Sequence, residues 1–121
     1  MSSLLDNERH ILERIVGEIP FESSEMLAAQ IQHTTVKRRS ATWVDLCVIV
    51  RNSPWLTGTK VIPVTGHVDW AGRFQTAVLA LVDSDGYFCA IEHYWYTEEP
   101  TELPSSAAMR LEYRSMPPIS V

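Results

Sequence analysis

Two runs of apolar, β-branched and aromatic residues meet at Asp83-Ser84-Asp85-Gly86, within the stretch FQTAVLALVDSDGYFCAIEHYWY from Phe74 to Tyr96. A glycine behind two aspartates supplies the positive φ that a tight β-connection requires, so the stretch predicts a β-hairpin at the centre of an antiparallel sheet. The same region dominates the charge. From Phe74 to Met109 there is no Lys or Arg, but there are six acids: Asp83, Asp85, Glu92, Glu98, Glu99 and Glu102. That segment carries −6, while the other nine acids and ten bases of the chain net +1. The acidity is local.

Upstream of the hairpin the hydrophobic period changes from helical to extended. Leu4 to about Glu18 predicts an amphipathic helix, with Ser3 or Asp6 to cap it and Ile11, Leu12, Ile15 and Val16 on one stripe. Pro20 stops it, because proline disfavours the α conformation in the residue before it. Ser23 or Ser24 then caps a second predicted helix through about His33, with Leu27, Ala28 and Ile31 inward. After Thr34 the period is two. Strands are expected at Thr35–Arg39, at Trp43–Val50 and at Val61–Asp69, separated by the loop around Asn52-Ser53-Pro54 and Thr57-Gly58-Thr59. Lys37-Arg38-Arg39 reads as a solvated charge run on an edge, and Pro63 as an edge, an end or a bulge. Trp70-Ala71-Gly72-Arg73 turns the chain into the hairpin.

Beyond Thr97 periodicity is lost, and four prolines up to Pro118 exclude a long regular element, so 97–121 is expected to be an irregular C-terminal segment. At 121 residues the chain fits a single domain, 1–121. The fold class expected is α+β, with two N-terminal helices packed on one face of a four- to five-stranded antiparallel sheet.

Composition narrows the function. No apolar run approaches the roughly 20 residues of a membrane span, and a pI of 5.3 argues against a nucleic-acid partner, which needs a basic face. MSSLLDNERHILER has no basic leader or apolar core of a secretory signal, and Cys47 and Cys89 sit inside predicted strands without a CxxC spacing, which suggests reduced thiols. A cytoplasmic protein is expected. No nucleophile motif, glycine-rich phosphate loop or metal-spaced His/Cys/Asp/Glu cluster is present, so neither an enzyme nor a metal or other cofactor is expected.

Ile91-Glu92-His93-Tyr94-Trp95-Tyr96 followed by Glu99-Pro100-Thr101-Glu102-Leu103-Pro104 resembles a family of small uncharacterised, largely actinobacterial α+β proteins. Its L-E-x-x-W-Y and P-T-E-x-P pieces follow a D-G hairpin matched by Asp85-Gly86. Glu8-Arg9-His10-Ile11-Leu12, Val44-Asp45-Leu46, Pro63-Val64 and Asp69 to Gly72 match earlier parts of the layout, over roughly residues 8 to 104. The chain departs from it in the longer Ser53 to Thr59 loop. The resemblance implies a fold and no activity.

In a strand, Glu92, Tyr94 and Tyr96 share one face and His93 and Trp95 the other. Tyr94, Tyr96 and Trp70 within an acidic rim of Asp83, Asp85, Glu92, Glu98, Glu99 and Glu102 have the composition of a protein-binding hot spot. The expectation is therefore a small acidic protein-binding module with a basic protein partner, such as an immunity protein, antitoxin or inhibitor occluding the active site of a nuclease-like toxin. The alternative is a cone-shaped small-molecule-binding or enzymatic domain with His67, Asp69 and Glu92 at a pocket mouth. A homodimer pairing the aromatic sheet face with itself is a third arrangement.

Overall fold

A computed structural model describes residues 1–50 and 62–114. The loop expected around residues 52–59, the start of the third expected strand at Val61, and the tail from residue 115 lie outside the described residues. Among the described residues the architecture is α+β, with two helices and one seven-stranded, wholly antiparallel sheet. In chain order the elements are β1 (Ser2–Ser3), α1 (Asp6–Gly17), α2 (Ser24–Ile31), β2 (Thr34–Arg39), β3 (Trp43–Val48), β4 (Val64–Asp69), β5 (Gln75–Val82), β6 (Phe88–Trp95) and β7 (Arg110–Tyr113). A short 3₁₀ turn at Ser106–Ala108 precedes β7. The sheet order is β1-β2-β3-β6-β5-β4-β7, so the β5–β6 hairpin lies at its centre.

The sheet exceeds the four or five strands expected because its two ends are completed by very short segments. Ser2 and Ser3 pair with Val36 and Thr35 at one end. At the other, Arg110–Tyr113 pairs with β4 from within the stretch expected to be irregular. Neither segment is long enough to show a period of two.

The stripe Ile11, Leu12, Ile15 and Val16 is fully buried and packs α1 against β4, β5 and α2. Glu8 caps the helix, its Oε1 accepting the Leu5 N–H at 2.8 Å. Its carboxylate is itself buried and takes a two-pronged contact from Arg39, at 2.9 and 3.1 Å. Arg39 is thus an ion-pair partner rather than a solvated edge charge, and those hydrogen bonds raise its pKa further above the ordinary guanidinium value. In α2 the buried residues are Leu27, Gln30 and Ile31, whereas Ala28 is exposed. Gln30 rather than Ala28 is inside because its amide is bonded at both ends: Oε1 accepts from Phe88 N–H at 3.0 Å and Nε2 donates to Gly86 O at 2.9 Å. That latch fastens α2 to the central hairpin.

The hairpin loop closes as its residues dictate. Asp83 Oδ1 accepts from the Asp85 and Tyr87 N–H groups, and Gly86 takes φ 87°. The β4–β5 turn has positive φ at both central residues, Ala71 and Gly72, and Asp69 Oδ1 accepts the Gly72 N–H at 2.8 Å. This twist suits the flanking strands. Pro63 lies just before β4, at a strand start where no ladder N–H is needed.

Candidate functional site

The register assigns side chains to the two sheet faces. Val44, Ile91 and Ala80 form one cross-strand row and are buried in the helix-packed core. The adjacent row, Trp43, Glu92 and Leu79, points to the opposite face, as do Tyr94 and Ala77. Glu92 is half-buried between Trp43 and Leu79. Tyr94 and Tyr96 are exposed and meet edge to face at 5.1 Å between ring centroids.

The third aromatic, Trp70, lies elsewhere. Its indole N–H donates to Thr76 Oγ1 at 2.9 Å, and its ring stacks on Phe74 at 5.7 Å and 13°. Val68, Thr76 and Trp95 are a row on the helix-packed face, so Trp70 anchors to the face opposite Tyr94. Below it, His93 is wholly buried, with Nε2 2.7 Å from Thr76 Oγ1 and Nδ1 3.1 Å from Ala41 O. The Ala41 carbonyl only accepts, so Nδ1 carries the proton and Nε2 accepts from the Thr76 hydroxyl. The chain Trp70 N–H to Thr76 O–H to His93, and His93 N–H to Ala41 O, uses every donor it contains. Burial pushes the His93 imidazole below its ordinary pKa, while the backbone carbonyls of Ala41 and Glu102 oppose the shift. Trp95, on the same face of β6 as His93, is 40% exposed.

Residues 98–105 lie against this end of the sheet, held there by specific contacts although they form no regular element. Pro100 and Pro104 are buried and Leu103 packs on the core. Asn7 on α1 pins the segment twice, donating to Pro104 O at 2.9 Å and accepting from Ser106 N–H at 2.8 Å. Arg14 donates to Ser106 O, and to Met109 O at 2.9 Å. Between this segment and the β4–β5 turn opens a cleft of about 690 Å³. Among the described residues, Trp70 and Phe74 line it together with four carboxylates, Asp69, Glu98, Glu99 and Glu102, and one cation, Arg73.

Four of the expected site residues, Trp70, Glu98, Glu99 and Glu102, thus come together, joined by Asp69. The others separate. Asp83 and Asp85 sit at the opposite end of the hairpin, which eight-residue strands place roughly 23 Å away. There Asp83 organises the turn. His67, Asp69 and Glu92 do not converge: His67 and Glu92 lie on β4 and β6 with β5 between them, about 10 Å apart across the sheet. His67 Nε2 instead faces Glu112 Oε2 of β7 at 3.5 Å. The sequence reading puts Asp69 at a pocket mouth with His67 and Glu92 rather than with the acids after β6, and gives no site role to Phe74 or Arg73, which belong to the turn preceding the hairpin. Among the described residues no three His, Cys, Asp or Glu side chains are grouped to hold a metal ion, and no helix is long and apolar enough to cross a membrane.

No protein-family model, curated protein or solved structure matches the chain.

Proposed function

We propose that this chain is a small acidic protein-binding module that engages a basic partner through the cleft end of its sheet, acting as an immunity protein or inhibitor that occludes a basic, nuclease-like active site. Kinship with the small actinobacterial α+β proteins it resembles belongs to the same proposal. The observation that carries it is a cleft lined, among the described residues, by four carboxylates and one guanidinium around a Trp70–Phe74 platform, three of the carboxylates on a segment pinned by Asn7 and Arg14. A net charge of about −3 on a segment fastened to α1 by side-chain hydrogen bonds attracts a cationic surface. A nuclease cleft is such a surface, because it holds phosphates.

The test is co-expression with the proteins encoded beside it, followed by association kinetics at several salt concentrations. A stoichiometric complex with a basic protein is expected, and mixing is expected to suppress that protein's nuclease activity. Replacing Glu98, Glu99 and Glu102 together by Gln should slow association about tenfold at low salt and flatten its salt dependence. An unaltered association rate in the triple variant would overturn the assignment of the cleft as the interface.

A further inference from the structure

We propose that the cleft is an arginine-binding site, which takes the guanidinium group of a partner's arginine and in which the chain's own Arg73 is a displaceable stand-in; this rests on the binding role proposed above and specifies what enters. Arg73 already makes the two contacts such a ligand would need. Its Cζ lies 5.8 Å from the Phe74 ring centroid, and its Nη2 lies 3.8 Å from Glu98 Oε2. The ring beneath it is extended by the near-parallel stacking of Trp70 on Phe74. A flat guanidinium suits a flat aromatic platform flanked by carboxylates, whereas an ammonium ion has no plane to stack.

Arg73 holds its place weakly. Its side chain is 74% exposed and that of Glu98 56%, at a separation beyond hydrogen-bonding distance. It also leaves most of the site's charge unanswered, because Asp69, Glu99 and Glu102 line the same cleft and, among the described residues, no second cation joins them in its lining. At about 690 Å³ the space falls within the range of ligand-sized clefts and accommodates a side chain with flanking backbone. An incoming arginine therefore finds a platform, a matched carboxylate and excess negative charge, and it competes only with an exposed internal arm.

The experiment titrates the full chain with three capped tripeptides, Gly-Arg-Gly, Gly-Lys-Gly and the neutral Gly-citrulline-Gly. Binding is followed by ¹H–¹⁵N NMR at the Trp70 indole and the Gly72 and Arg73 amides. The arginine peptide should shift all three signals, the lysine peptide should bind several-fold more weakly, and the citrulline peptide should leave them unmoved. Arg73→Ala should tighten arginine-peptide binding about two- to fivefold, the factor expected from removing an exposed internal ion pair. Glu98→Gln should weaken it by a similar factor, and Glu22→Gln, at an exposed acid outside the cleft, should do neither. Equal binding of citrulline and arginine, or no gain in Arg73→Ala, overturns the proposal. If the arginine peptide does not bind while the triple Gln variant still slows association with a basic partner, the binding role stands and the arginine site falls.

Discussion

Thr76→Val is the sharpest test of how the cleft floor is held. Valine keeps the β-branched shape that suits β5 and removes only the hydroxyl, so loss of packing contributes little. The hydroxyl is 2.9 Å from Trp70 Nε1 and 2.7 Å from His93 Nε2, and it serves as acceptor for the first and donor to the second. Its removal leaves two polar groups without partners. His93 is wholly buried and Thr76 is 1% exposed, so the imidazole nitrogen bears the full penalty, about 1–3 kcal/mol. Trp70 is only partly buried, which places its share at about 1 kcal/mol. The sum is roughly 2–4 kcal/mol, equivalent to a fall in Tm of about 8–16 °C for a chain of this size. Urea unfolding at pH 7 measures it, with Thr76→Ser as the control. Serine keeps both hydrogen bonds and loses one methyl group, costing about 1 kcal/mol. If the valine variant were as stable as the parent, or the serine variant the weaker of the two, the relay would have no energetic role.

Two further perturbations follow from buried polar groups. His93 has its pKa lowered by burial, so between its folded value and the ordinary 6.5 the unfolded chain binds more protons. Stability should therefore be at its plateau above pH 6.5 and fall as the pH drops below it. His93→Gln, which can donate towards Ala41 O and accept from Thr76 without titrating, should flatten that decline in urea midpoints measured from pH 7.5 to 5. Arg39→Ala strands the buried Glu8 carboxylate; the cost of a broken buried pair is about 3–5 kcal/mol, reduced here to about 2 because Arg39 is 35% exposed and Glu8 keeps its Leu5 N–H bond. Arg39→Lys should recover less than half of it in the same assay, since an ammonium cannot make the two-pronged contact.

The elements legible in the sequence are those whose signal is periodic. The α1 stripe from Ile11 to Val16 and the Val44, Leu46, Val48 alternation of β3 each repeat often enough for burial to follow. The central hairpin is legible because Gly86 and Asp83 have conformations and hydrogen bonds few other residues supply. What was hidden rests on single long-range contacts. Gln30 looks like any polar helix residue until Phe88 and Gly86 are beside it. Pro100 and Pro104 indicate that 98–105 has no regular hydrogen bonding, yet they contribute apolar surface that buries it. The irregularity is visible in the sequence and the burial is not.

The acids illustrate the same limit in charge. Six carboxylates between residues 83 and 102 read as one patch in the sequence, but a strand advances about 3.3 Å per residue, so β6 alone carries Asp85 and Glu98 to opposite ends of the sheet. The cleft then gathers Asp69 from the other side of the hairpin to stand opposite Glu98, Glu99 and Glu102. Residues adjacent in the chain are thus divided between the tightly bonded hairpin turn and the cleft, and residues thirty positions apart form one site. The density of negative charge on which a basic partner would act is a property of the β4–β5 turn meeting the segment after β6. It follows that neutralising Asp83 and Asp85 and neutralising Glu98, Glu99 and Glu102 are unequal perturbations. The first unsettles the hairpin turn, whereas the second alters the cleft's field and leaves the sheet that holds it in place.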